Sequence, residues 1–195
     1  LQHDEERYEF HHQTEEKIPF DLEFFNRITK GGLPNKTLNI ALAGTGVGKS
    51  LFMCHVASSI LLQSKNVLYI TLEMAEEKIA ERIDANLLSV DIQQLDQLPK
   101  MMFDSKVNKI AKKTQGQLII KEYPTASASV GHFRALLNDL ALKKSFKPDI
   151  IFIDYLNICA SSRYRQNGNV NSYTYVKAIA EELRGLAVEA NVPIV

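Results

Sequence analysis

The sequence predicts an α/β protein with a mainly parallel sheet covered by helices on both faces. Three observations predict it. Apolar runs recur along the chain at 37–43 ("TLNIALA"), 66–73 ("NVLYITLE"), 117–123 ("QLIIKEY") and 149–156 ("DIIFIDYL"). Stretches of helical periodicity separate them, an alternation that builds parallel sheets. Each run holds consecutive apolar residues, as strands buried on both faces do.

Residues 1–18 are charged and polar with little apolar periodicity, and they predict a linker or arm whose Tyr8 and Phe10 dock on a neighbour. The core begins near Pro19, giving one domain over 19–195. "GGLPNK" at 31–36 is a turn cluster before the first strand. "LFMCHVASSILL" at 51–62 is apolar nearly all round, which suits a helix buried against a sheet. In "EEKIAERIDANLL" Ile79, Ile83 and Leu87 recur every four residues behind acids in the first turn, the pattern of an amphipathic helix. Residues 89–115 are polar and predict helix on either side of Pro99. "HFRALLNDLALKK" places Phe133, Leu136, Leu137 and Leu140 on one face. After the polar loop "SSRYRQNGNVNS", Val176, Ile179, Ala180, Leu183, Leu186 and Ala187 form one stripe of a long helix. The final "NVPIV" has the composition of a strand without a following turn, so the chain is expected to be a fragment truncated within a strand.

Composition excludes several classes. The 195 residues are 45% hydrophobic and hold no apolar run near the ~20 residues of a membrane span. The polar N-terminal segment is unlike a signal peptide, and a cytoplasmic location follows, host cytoplasm if the source is viral. Lys plus Arg equals Asp plus Glu at 23 each, so a basic surface must be local. Cys54 and Cys159 lie far apart in apolar segments, as buried thiols do, and the five histidines have no metal-ligand spacing.

The chemistry concentrates at "ALAGTGVGKS", residues 41–50. The phosphate-loop pattern requires Gly, four residues, then Gly-Lys-Ser/Thr, and Ala43 departs from it at the first position. Gly44, Gly46 and Gly48 still let the backbone of residues 43–50 (Ala43, Gly44, Thr45, Gly46, Val47, Gly48, Lys49, Ser50) curl with its amides inward, an anion nest at a helix start. Lys49 would reach the β and γ phosphates of ATP, and the Ser50 hydroxyl would sit on Mg²⁺. A second acid is needed near that cation. Asp154 ends the strand "IIFID"; Asp149 starts it and would lie at the opposite edge of the sheet. An Asp at a strand end is commonly a turn former, and its pairing with the loop upstream favours the metal role. Glu73 ends the second strand on the same rim, where by itself it reads equally as an acid at the N-terminus of the next helix.

Taken together, "GGLPNKTLNIALAGTGVGKS", "LYITLEM", "IIFIDYL" and "AIAEELRGLAVEANVPIV" resemble the replicative hexameric helicases of the DnaB type, a branch of the RecA-like P-loop ATPases. The resemblance covers most of residues 19–195 and implies a RecA-like P-loop NTPase core. Ala at the first loop position is common in that family. The resemblance gives Glu73 the role of catalytic base and Asp154 that of the Walker B aspartate. It implies ATP-driven translocation on single-stranded DNA with duplex unwinding, a ring hexamer, and primase and helicase-loader partners. It also implies a polar sensor, DNA-binding loops and an arginine finger beyond residue 195. Arg163 and Arg165 stand in the loop whose counterpart in related ring helicases faces the channel, where two arginines beside Tyr164 would contact DNA phosphates; such a loop is also an ordinary polar surface. Arg82 and Arg184 read as solvated helix faces. The rival classes are a RecA-like strand-exchange ATPase and a nucleotide-gated loader or regulatory module.

Overall fold

A computed structural model describes residues 4–44, 46–161, 163, 164 and 171–195. Helices α1 (Asp4–His12) and α2 (Glu23–Thr29) flank strand β1 (Lys17–Ile18), which pairs antiparallel with β2 (Leu33–Pro34). There follow α3 (Lys49–Leu61), β3 (Val67–Thr71), α4 (Glu76–Leu88), α5 (Ile92–Leu95), α6 (Lys100–Lys113), β4 (Leu118–Glu122), α7 (Val130–Lys144), β5 (Ile150–Asp154), a 3₁₀ turn (Leu156–Ile158) and α8 (Ser172–Ala190). Among the described residues no helix is long and apolar enough to cross a membrane.

The main sheet is parallel with β3 at its centre, in the order β4-β3-β5. In register, Leu68 faces Ile119 on one side and Ile151 on the other, and Thr71 faces Asp154 at the carboxyl edge. Single parallel bridges from Ile151 to Ile194 and from Ile194 to Leu38 extend the order past β5.

Strand alternation divides the core in two, since successive side chains point to opposite faces. Leu68, Ile70, Ile151 and Ile153 pack with Phe133 and Leu140 of α7 and Ile179, Leu183 and Leu186 of α8. Val67, Tyr69, Ile150 and Phe152 pack on the other face with Met53, Cys54, Ala57 and Ile60 of α3 and Ile79 and Ile83 of α4. Helices thus cover both faces, as the apolar runs require.

At the amino edge one side chain ties three strand starts together. The Asn66 amide donates to Asp149 Oδ2 (2.7 Å), its Oδ1 accepts from the Gln117 amide (3.0 Å), and its Nδ2 donates to the Lys147 carbonyl (3.2 Å). The Asn66 carbonyl accepts from the Asp149 amide at 2.8 Å.

One expectation is corrected. Residues 37–43 form no regular strand: the Asn39 amide bonds the Ile194 carbonyl (2.8 Å), the Ile194 amide bonds the Thr37 carbonyl (2.9 Å), and pairing then stops. Ile40 and Leu42 stand exposed at 63% and 95%. The arm contains a helix, α1, whose residues are all exposed. Asp4, Glu5 and Glu6 in its first turn and His11 and His12 in its last suit the helix dipole, which needs no apolar face.

Candidate functional site

The loop before α3 takes the conformation its glycines permit. Gly46 and Gly48 have φ of +74° and +98°, a region costly for residues with a Cβ. Gly48 is the N-cap, and α3 starts at Lys49. The first-turn amides of a helix lack intrahelical acceptors, so this terminus offers donors and a positive dipole end to an anion. Ala43, Gly44, Gly46 and Val47 are exposed along the approach. Thr45 lies outside the described residues.

Three elements converge on Asp154 at the end of β5. Ser50 Oγ, one residue into α3, donates to Asp154 Oδ2 at 2.7 Å. The Tyr69 hydroxyl, from the middle of β3, donates to the same oxygen at 3.0 Å. Cys54 Sγ, one turn along α3 from Ser50, donates to the Tyr69 oxygen at 3.8 Å. Burial pushes the Cys54 thiol up to about 11, while its hydrogen bond with Tyr69 works the other way. Burial is also the largest cause raising the Tyr69 phenol above its usual range, with the nearby Cys54 and Asp154 adding to it. Both groups therefore stay protonated donors at neutral pH. Asp154 itself is 1% exposed, and its Oδ1 is buried without a hydrogen-bond partner among the described residues.

That orphaned oxygen tests the fit of a divalent cation. A hydroxyl that donates its proton to a carboxylate keeps its lone pairs for a metal, and Mg²⁺ prefers oxygen ligands. Ser50 and Asp154 supply such a set, so the residues fit Mg²⁺. Asp149, at the other end of β5, accepts from the Asn66 amide and lies away from the loop.

Lys49 Nζ sits 3.6 Å from the centroid of the Tyr155 ring, a cation–π contact that parks the ammonium beside the loop. Glu73 follows β3 in a turn closed by Thr71, whose Oγ1 donates to the Met74 carbonyl (2.8 Å) and accepts from its amide (3.1 Å). The Leu72 amide donates to the Asp154 carbonyl at 2.9 Å, so Glu73 projects from the rim that carries Asp154. Its carboxylate is exposed, with no partner among the described residues.

Arg163 Nη1 is paired with Glu181 Oε2 of α8 at 2.8 Å, and Tyr164 is exposed. Arg165 lies outside the described residues. Arg82 is half-buried on α4 and Arg184 is exposed on α8. Sequence reasoning missed Tyr69 and Tyr155 as parts of the site. Alternation along β3 puts Tyr69 on the α3 face with a polar atom that needs a partner, and that was the available signal.

Comparison with known proteins shows the family and the fold. Residues 18–195 match the family model described as DnaB-like helicase C terminal domain. The chain is 52% identical over 176 residues to the DnaB-like replicative helicase of Enterobacteria phage T4, covering 89% of this chain and 37% of that protein. A solved DnaB-like replicative helicase, described with its interactions with primase, superposes with a TM-score of 0.71 at 18% identity over 97% of this chain and 45% of that one. A second solved structure, described as an ATPase domain, gives the same TM-score and identity, over 97% of this chain and 66% of its own. The chain thus spans little more than a third of the T4 relative's length.

Proposed function

The chain belongs to the DnaB-like helicase C terminal domain family, and from that premise we propose that it is the ATPase motor core of a replicative DNA helicase. In this reading the intact protein is a ring hexamer that moves along single-stranded DNA, unwinds duplex at the replication fork, and meets a primase and a loader. Residues 1–18 are the arm and 19–195 the ATPase domain, which further residues complete. The observation that carries the proposal is the bond from Ser50 to Asp154 at 2.7 Å, beside a glycine-lined helix N-terminus.

In this reading each residue of the site has a role that the geometry supports. The amides of residues 44–50 receive the ATP phosphates, and Lys49 leaves the Tyr155 ring to meet the β and γ oxygens. Ser50 and Asp154 hold Mg²⁺, which when bound neutralises charge on those oxygens. Glu73, free at the rim, orients and deprotonates the attacking water. Residues from a neighbouring subunit supply the cation that stabilises transition-state charge, a contribution worth about 10³–10⁵ in rate.

ATPase rate against single-stranded DNA concentration tests this for the 195-residue chain and for a polypeptide extended to the length of its relatives. The short chain binds ATP, hydrolyses it slowly and gains nothing from DNA; the long one is strongly stimulated. Full DNA-stimulated turnover by the short chain as a monomer refutes the interface mechanism, and an extended chain indifferent to DNA refutes the motor.

A further inference from the structure

We infer that Tyr69 is a positioning residue for the divalent cation, acting through Asp154, and that Cys54 orients its hydroxyl. The inference rests on the ATP and Mg²⁺ site proposed for this chain.

A carboxylate at the end of a strand can turn about its last bond and present either oxygen. Asp154 is denied that freedom because two donors from different elements meet on one oxygen. Ser50 approaches Oδ2 from α3 at 2.7 Å and Tyr69 approaches it from β3 at 3.0 Å. Oδ1 is left buried and unpartnered. The carboxylate is thereby divided between a structural oxygen and one free for the cation or its water. The Ser50 bond alone does not secure this division, since a hydroxyl that also serves the metal is shared between two tasks. Tyr69 has only one.

Its own placement is over-determined. The ring is fully buried and stacks on Phe152, with centroids 5.7 Å apart and planes 12° from parallel. The phenol oxygen accepts from the Cys54 thiol at 3.8 Å. With one lone pair occupied from that side, the phenol proton points to Asp154. A phenylalanine would satisfy the packing equally well. The hydroxyl therefore serves Asp154, not the core. Partners that hold metal-ligating carboxylates typically change metal affinity by about 10–100-fold when removed.

The test is the binding of a fluorescent ATP analogue to the chain, first in chelator and then across a Mn²⁺ titration, with bound Mn²⁺ read independently from loss of the free-ion electron spin resonance signal. For Tyr69→Phe we expect analogue affinity in chelator equal to that of the unsubstituted chain and a Mn²⁺ half-saturation raised about tenfold. Cys54→Ala gives a smaller rise, and Cys54→Ser, which keeps a donor, gives less still. A Tyr69→Phe half-saturation within about twofold of the unsubstituted chain overturns the inference and leaves the nucleotide site standing. If the unsubstituted chain binds the analogue with no Mn²⁺ dependence, the metal site proposed for Ser50 and Asp154 fails instead. Should Tyr69→Phe not fold, Cys54→Ala decides: a rise supports the inference and an unchanged value overturns it.

Discussion

Ser50 and Asp154, separated by 104 residues, are joined by a 2.7 Å hydrogen bond from hydroxyl to carboxylate. The bond links the first turn of α3 to the last residue of β5, so the proposed cation site draws on the sheet as well as on the loop. Asp154→Asn keeps an oxygen for both donors but removes the charge. The variant folds and binds nucleotide in chelator, yet gains nothing from added Mg²⁺. Calorimetry with and without the metal checks it, and a preserved metal-dependent gain would remove Asp154 from the site.

Lys49→Ala takes away a side chain whose recorded contact is the Tyr155 ring. Losing a charge-assisted bond to a phosphate costs about 1.5–3 kcal/mol, equivalent to about 10–150-fold in affinity. Binding of a labelled ATP analogue should weaken by at least that much. The melting temperature should stay within a few degrees. Unchanged affinity contradicts the phosphate-loop assignment.

Glu73→Gln removes a base and preserves shape at an exposed position. General-base loss typically lowers turnover by about 10²–10⁴. In the extended, DNA-stimulated protein, single-turnover hydrolysis falls by that factor while analogue affinity holds. A rate near the parent's would reassign Glu73 to the helix terminus it precedes.

Alkaline pH provides a stability test. Burial raises the Cys54 thiol from 9.0 to about 11 and the Cys159 thiol from 9.0 to about 12. A group raised in the folded state binds its proton more tightly there than in the unfolded chain. Its stabilisation is complete below about pH 9 and is lost as pH rises through the folded values, here 11 to 12. Unfolding midpoints in denaturant should fall across that window. The fall should be shallower in the Cys54→Ala, Cys159→Ala double variant, and identical slopes in both proteins would show that other groups govern it.

The architecture was legible because apolar runs and helical stripes obey different periods. Ile79 and Ile83 are buried on α4, and Phe133 and Leu140 on α7, as the spacing requires. The helix start behind the glycine loop was legible too, and Asp154 does end β5, whereas Glu73, expected at the end of its strand, stands two residues beyond the end of β3 at Thr71. What escaped was long-range polar pairing. Tyr69 looks apolar in sequence, and its hydroxyl has meaning only beside Cys54 and Asp154, 15 and 85 residues away. The 37–43 run escaped for another reason: an apolar composition does not by itself make a strand, and among the described residues the run is joined to the sheet by a single bridge from Leu38 to Ile194.

The Asn66 junction gives the two edges of the sheet different clocks. Amides knotted there, among them Asn66, Gln117 and Asp149, are locked by bonds that involve no part of the nucleotide site. Their hydrogen–deuterium exchange should be slow and indifferent to ligand. Amides near Leu72 and the start of α3 lie where phosphate and cation redraw the bonding, and their exchange should slow on binding. If the proposed site takes a nucleotide, binding would stiffen one end of a sheet whose other end is already stitched, and exchange that changes equally at both ends would contradict that division.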